Sequence, residues 1–134
     1  MVRLWGLCLV HLGSVATCLD YACQTTKADM MKQFEINAVG PFLMTRAFLS
    51  NLKLAVAKSG SATVGQVTSH MASITDNGSG SMYGYRASKT ALNMVNSSLA
   101  HDLKDEKIIA LALHPGYVVT RIPSHTGQST PEDS

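Results

Sequence analysis

Tyr85 and Lys89 stand four residues apart in the segment MYGYRASKTALNMVNSSLAHDLKD. On a helix that spacing puts a phenol and an ammonium on one face. A cation beside a phenol favours the phenolate and lowers a pKa whose reference value is about 10. Tyr85 would then give or take a proton near neutral pH. A Tyr/Lys pair at this spacing, taken alone, is more often a bland surface pair. Its surroundings point to chemistry. Ser69 closes the short β-branched run ATVGQVTS, and His114-Pro115-Gly116-Tyr117-Val118-Val119-Thr120 follows the apolar run IIALAL. Both lie where strands should end, and an open parallel sheet binds its ligands beyond the carboxyl ends of its strands.

Asn37 is a further candidate, argued from the backbone. Pro41 sits four residues after it inside a helical pattern. Proline cannot donate to the carbonyl of residue 37, and its ring presses against that carbonyl. A kink there leaves the Asn37 carbonyl for water; the competing reading is an Asn tolerated at a proline kink. Ser69 could likewise be only a strand-end serine. His70 and His114 flank the predicted site, and are read as structural because no carboxylate or cysteine stands near either at metal-site spacing; no metal site is expected. Gly78 to Gly84 has G-x-G-x-x-x-G spacing before the Tyr85 helix and reads as a flexible substrate-side loop. Asn77-Gly78-Ser79 and Asn96-Ser97-Ser98 match glycosylation acceptors, the second in mid-helix.

The elements that must position these residues follow from periodicity. Thr26-Lys27-Ala28-Asp29 has capping-box spacing. Met30, Phe34, Asn37, Met44, Phe48 and Leu52 recur at helical spacing to about residue 57, and Gly60 is a C-cap. A strand over 62–69, a polar loop over 75–81, a helix from about Met82 to Asp105 and a strand over 108–113 complete the pattern. Leu92, Val95, Leu99 and Leu103 mark the apolar face of that second helix. IIALAL suits a parallel strand covered on both faces. Leu7 to Leu12 is a weaker strand ending at Gly13. Long helices between short buried strands indicate right-handed βαβ crossovers. The expected fold class is therefore α/β, a partial Rossmann-type three-layer fold with a parallel sheet of about three strands. Residues 1–122 form the domain, with 1–25 divergent, and 123–134 form a disordered tail.

Composition narrows the function classes. Among 134 residues, 46% are hydrophobic and 15% charged, with 11 basic against 9 acidic side chains. The apolar fraction is too high for a disordered chain. No cluster of Lys and Arg offers a nucleic-acid surface, and no run approaches about 18 apolar residues, so no membrane span is expected. Three cysteines, Cys8, Cys18 and Cys23, lack C-x-x-C spacing, which speaks against a disulfide scaffold and for a reducing, cytoplasmic setting. Residues 1–18 have the outline of a weak secretory signal, interrupted by Gly6, His11 and Gly13.

Four segments in order, FEINAVGPFLMTRAFL, VTS, DNGSGSMYGYRASK and LHPGYVVT, resemble the short-chain dehydrogenases/reductases, in their carbonyl-reductase-like branch of C-factor and sniffer type. The resemblance runs over about residues 26–122. It implies a NAD(P)-dependent oxidoreductase interconverting a carbonyl and an alcohol, acting on a small substrate. By that resemblance Tyr85 exchanges a proton with the substrate oxygen and Ser69 donates a hydrogen bond to it. Lys89 lowers the Tyr85 pKa and binds the nicotinamide ribose, and Asn37 holds a water linking Lys89 to solvent. Tyr85, Lys89, Pro115, Gly116, Val118 and Thr120 border the cofactor, NADP or NAD, with NADP slightly favoured. The two long helices could form a homo-oligomer interface.

The resemblance is to the second half of the family's domain. The glycine-rich turn that cradles a pyrophosphate in the family does not occur in these 134 residues, and only Gly13 matches the family's N-N-A-G strand end. The expected sheet therefore lacks the N-terminal cofactor-binding strands. The alternative reading is a non-catalytic fragment acting as a dimerisation or interaction module.

Overall fold

The computed structural model describes residues 24–116, residue 22 and the backbone of the strand Leu7–Val10. Three strands, β1 (Leu7–Val10), β2 (Ala62–Val67) and β3 (Ile108–Leu113), form one parallel sheet in the order β1-β2-β3. Leu7 pairs with Thr63, and Ala62 with Ile108. Between β1 and β2 runs a helical column: α1 (Lys27–Phe34), a π-helical turn (Glu35–Val39), α2 (Gly40–Ala47) and α3 (Leu49–Ser59). A 3₁₀ turn (His70–Ala72) and α4 (Tyr83–Asp102) connect β2 to β3.

Local sequence explains the boundaries. Thr26 caps α1 by accepting from the Asp29 backbone N–H at 3.2 Å, while its hydroxyl bonds the Asp29 carboxylate. The column ends at Gly60, whose N–H donates to the Val56 carbonyl at 2.7 Å. The proline-induced disturbance takes the form of a π-helical turn. Gly40 donates to Glu35, five residues back, and Pro41 opens α2, where a missing N–H costs nothing. Phe48 interrupts the column again at φ −89°, ψ 4°, so the single long helix expected from periodicity is three segments.

Parallel strands in sequential order, joined by crossovers of one hand, receive their helices on one face. Leu52, Ala62, Val64, Leu103 and Ile108 are buried together there, with Met44, Leu49, Val56 and Leu99 against them. The exposed Lys53–Glu106 ion pair at 2.8 Å adds little to this. On the opposite face Ile109, Leu111 and Leu113 remain 50%, 43% and 39% exposed. Coverage of β3 on both faces is thus not met among the described residues, which supply two layers of the three, the sheet and one helical layer.

The Tyr85 helix also differs from its predicted pattern. Leu92 and Leu103 are buried as expected, Val95 and Leu99 only partly so. Beside them the buried set of α4 is Gly84, Tyr85, Ser88, Lys89 and Asn96. The facing column buries Gln33, Asn37, Pro41 and Thr45. Each stripe advances by four residues, the spacing of ridges that interlock between helices. Gly84 has a specific task in this seam, because a Cβ there would overlap the fully buried Gln33 amide.

Gly84→Ala should therefore destabilise the fold by about 1–3 kcal/mol, although alanine is the better helix former. In a Gln33→Ala background most of that penalty should vanish. Chemical denaturation of the four variants measures the coupling; equal penalties in both backgrounds would show that the two side chains do not compete for one space.

Candidate active site

The carboxyl ends of β2 and β3 meet the first turns of α4. Thr68 extends the β2–β3 ladder by donating its N–H to the Leu113 carbonyl at 2.8 Å, so residue 69 leaves the sheet at a fixed point. Ser69 is extended (φ −148°, ψ 151°), and its hydroxyl caps the following turn by accepting from the Met71 N–H at 3.2 Å. The Tyr85 hydroxyl, entering from α4, comes within interaction range of the Ser69 side chain. Lys89 lies one turn further along α4, 2% exposed, with Nζ donating to the Val67 carbonyl at 3.0 Å. Its ammonium is 5.9 Å from the centre of the Tyr85 ring. Tyr85, Lys89 and Ser69 are thus brought together.

Asn37 belongs to the same assembly through a chain of bonds. Its Nδ2 donates to the Ser88 hydroxyl at 3.0 Å, and Ser88 donates to the Tyr85 carbonyl at 2.8 Å. Asn37 and Ser88 are each 1% exposed. The π-helical turn therefore locks onto the backbone of α4 at Tyr85. Pro115 and Gly116 follow β3, and Gly116 takes φ +87°, a conformation that side chains rarely adopt. Val118 and Thr120 lie outside the described residues, as do Gly13, Cys18, Cys23 and residues 123–134.

Burial dominates the electrostatics. It pushes the Tyr85 phenol above its usual 10.0, against the lowering effect of the Ser69 hydrogen bond. In this arrangement the net shift of the phenol is upward, opposite to the one expected from Lys89, because burial dominates. Burial also lowers the Lys89 ammonium from 10.5 to about 8. His70 Nδ1 and His114 Nε2 lie 3.3 Å apart, and burial together with the His70 charge lowers the His114 pKa.

Several contributors escaped the motif reading. Arg86 ties down the loop before α4, with Nε on the Gly80 carbonyl at 3.1 Å and Nη2 on the Ser79 hydroxyl at 2.9 Å. That loop, expected to be flexible, is also held by Asn77, which accepts from the Gly80 N–H at 3.1 Å. The clamp supports three successive residues at positive φ, Gly80, Ser81 and Met82. Thr68 donates to Asn93 at 2.6 Å, and Thr90 to the Ala72 carbonyl at 2.9 Å, which fastens α4 to β2 and the 3₁₀ turn. The small and polar residues Gly84, Ser88 and Asn96, in four-residue rhythm with Leu92, were the available signal for the seam. A cleft of about 510 Å³ between this loop and α4 is lined by Met71, Ile74, Asn77, Tyr83 and Arg86.

The family model described as short chain dehydrogenase matches residues 8–130. The chain belongs to that family. The match begins upstream of the four motifs and takes in β1. C-signal of Myxococcus xanthus is 43% identical over 93 residues, covering 69% of this chain and 54% of that protein. The structure of the carbonyl reductase Sniffer of D. melanogaster superimposes with a TM-score of 0.85 at 29% identity, over 96% of this chain and 54% of that one. An NADPH-bound carbonyl reductase from chicken fatty liver gives 0.77 at 29%, over 87% and 48%. The chain thus spans about half the length of these short-chain dehydrogenase relatives. Among the described residues no helix is long and apolar enough to cross a membrane.

Lys89 makes the pH dependence of stability diagnostic. With a folded pKa of about 8 against 10.5, the folded state binds fewer protons than the unfolded state between those values. Its contribution should therefore make stability rise with pH from about 8 to 10.5, having been unfavourable throughout below pH 8. Lys89→Met should flatten that rise in denaturant midpoints measured across this window. An identical slope in both proteins would mean that the amine is not held as the geometry implies.

Proposed function

We propose that this chain carries the proton-transfer half of a NAD(P)-dependent oxidoreductase that interconverts a small carbonyl compound and its alcohol. The observation that carries the reading is the buried Lys89 ammonium on the same helix face as Tyr85, at the strand end where the Tyr85 hydroxyl comes within range of Ser69. A carbonyl oxygen placed between the two hydroxyls would accept a hydrogen bond from Ser69 as negative charge develops, and the proton from Tyr85. Keeping the phenol protonated, as burial does, suits Tyr85 to act as the acid in the reductive direction.

The donor set also suits a nicotinamide ribose. An ammonium offers three N–H donors; Lys89 places one on Val67, leaving others for a ribose diol beside Tyr85. Once a cofactor is bound there, the positive charge of Lys89 next to Tyr85 would favour the phenolate that proton donation leaves behind. Asn37 is assigned the water that reconnects Lys89 to solvent, and its bond to Ser88 holds the helix at Tyr85. Pro115, Gly116, Val118 and Thr120 would border the nicotinamide. The cofactor itself supplies the hydride. NADPH is the form to try first, because the chicken carbonyl reductase structure contains it.

A second reading, an interaction module without catalysis, is favoured by exposed apolar side chains. Phe42, Leu43 and Phe48 on the helical column and Ile109, Leu111 and Leu113 on β3 are each 37–50% exposed. Fluorescence titration with NADPH and NADH separates the readings. Saturable binding at micromolar cofactor, with carbonyl-dependent oxidation of NADPH that Tyr85→Phe lowers by about 10²–10⁴-fold, supports the enzyme. Absence of binding at millimolar cofactor favours the module.

A further inference from the structure

We propose that His70 and His114 form a two-imidazole site for a divalent transition-metal ion, represented by Zn²⁺, across the carboxyl ends of β2 and β3. The sequence separates these residues by 44 positions and marks neither as a ligand. The parallel pairing of β2 with β3 brings them together, since each immediately follows a residue fixed in or beside the ladder. His70 Nδ1 and His114 Nε2 are 3.3 Å apart, the ring centres 5.0 Å apart and the planes at 73°.

These distances match ligation. Tetrahedral zinc with Zn–N bonds of about 2.0–2.1 Å sets neighbouring ligand nitrogens about 3.3–3.4 Å apart, with ring centres about 5.2 Å apart. Without an ion the same 3.3 Å separation serves as an N–H···N hydrogen bond between the two rings, one imidazole donating and the other accepting, and a bound ion would take the place of that proton.

The positions are also fixed and accessible. The His70 carbonyl accepts from the Ser73 N–H at 3.0 Å inside a turn capped by Ser69, and the Leu113 carbonyl is held by Thr68 at 2.8 Å. Both histidines are exposed, so an ion reaches them without rearrangement. Among the described residues no third His, Cys, Asp or Glu completes a group of three. Water would fill the remaining positions, and affinity should be micromolar, well short of a four-ligand structural site. The proposal rests on the imidazole geometry and not on the reductase reading.

Calorimetric titration of the protein with Zn²⁺ tests this in wild type, His70→Ala, His114→Ala and the double variant. All four retain Cys8, Cys18 and Cys23, so differences between them report the imidazoles. One ion should bind at micromolar concentration, each single change should weaken binding at least tenfold, and the double change should add nothing further. Wild-type affinity in either single variant would overturn the proposal. Ring-proton NMR on the unaltered protein gives a second measure: the His70 and His114 signals should move together with Zn²⁺, while those of His11, His101 and His125 stay. No movement of the pair at millimolar Zn²⁺ would also overturn it.

Discussion

The polar seam between the first helical column and α4 is the constraint on which the site rests. Two helices usually meet through apolar ridges. Here Gln33 lies over Gly84, and Asn37 bonds Ser88, which bonds the Tyr85 carbonyl. Buried polar groups cost free energy unless they are paired, so such a seam tolerates few alternative registers. A slide of one helix along the other would strand Asn37 and Ser88 together. The position of the Tyr85 phenol at the mouth of the sheet is therefore fixed from behind, by hydrogen bonds that never touch a substrate.

Lys89 is held by the same logic at higher stakes. Its ammonium is buried and points at the Val67 carbonyl at the end of β2. Desolvation lowers its affinity for a proton, and that loss is tolerated because one carbonyl accepts from it. Ser69, two residues beyond Val67, is placed by the same strand end. A single backbone exit from the sheet thus orients the ammonium and the serine hydroxyl toward one rim, and Tyr85 joins them from the helix. The polar side chain of Gln66, fully buried on the same strand, donates to Thr45, which donates to the Pro41 carbonyl. The strand is tied in this way to the segment that carries the π-helical turn.

Family membership and partial length bear on one another physically. The described residues complete one helical layer over the sheet and leave Ile109, Leu111 and Leu113 on its other face. In a Rossmann-type fold that face receives helices from other parts of the chain. The cluster of Tyr85, Lys89, Ser69 and Asn37 does not draw on that face. It is assembled from β2, the 3₁₀ turn, α4 and the π-helical turn, all of which the chain supplies.

Local pattern determined much of this in advance. Thr26 and Asp29 fixed the start of α1, Gly60 the end of α3, and continuous apolar character the strand β3, because caps and periodicity act over a few residues. The Tyr85/Lys89 spacing and the strand-end position of Ser69 were legible for the same reason. The break at Phe48, the π-helical form of the disturbance near Pro41, and the polar stripe of α4 were not, since each depends on what lies across an interface. Only the fold decided that burial would raise the Tyr85 pKa despite a neighbouring lysine, because desolvation is set by every surrounding element. The fold alone also joined His70 to His114, residues that no short-range pattern could relate and that strand pairing places side by side.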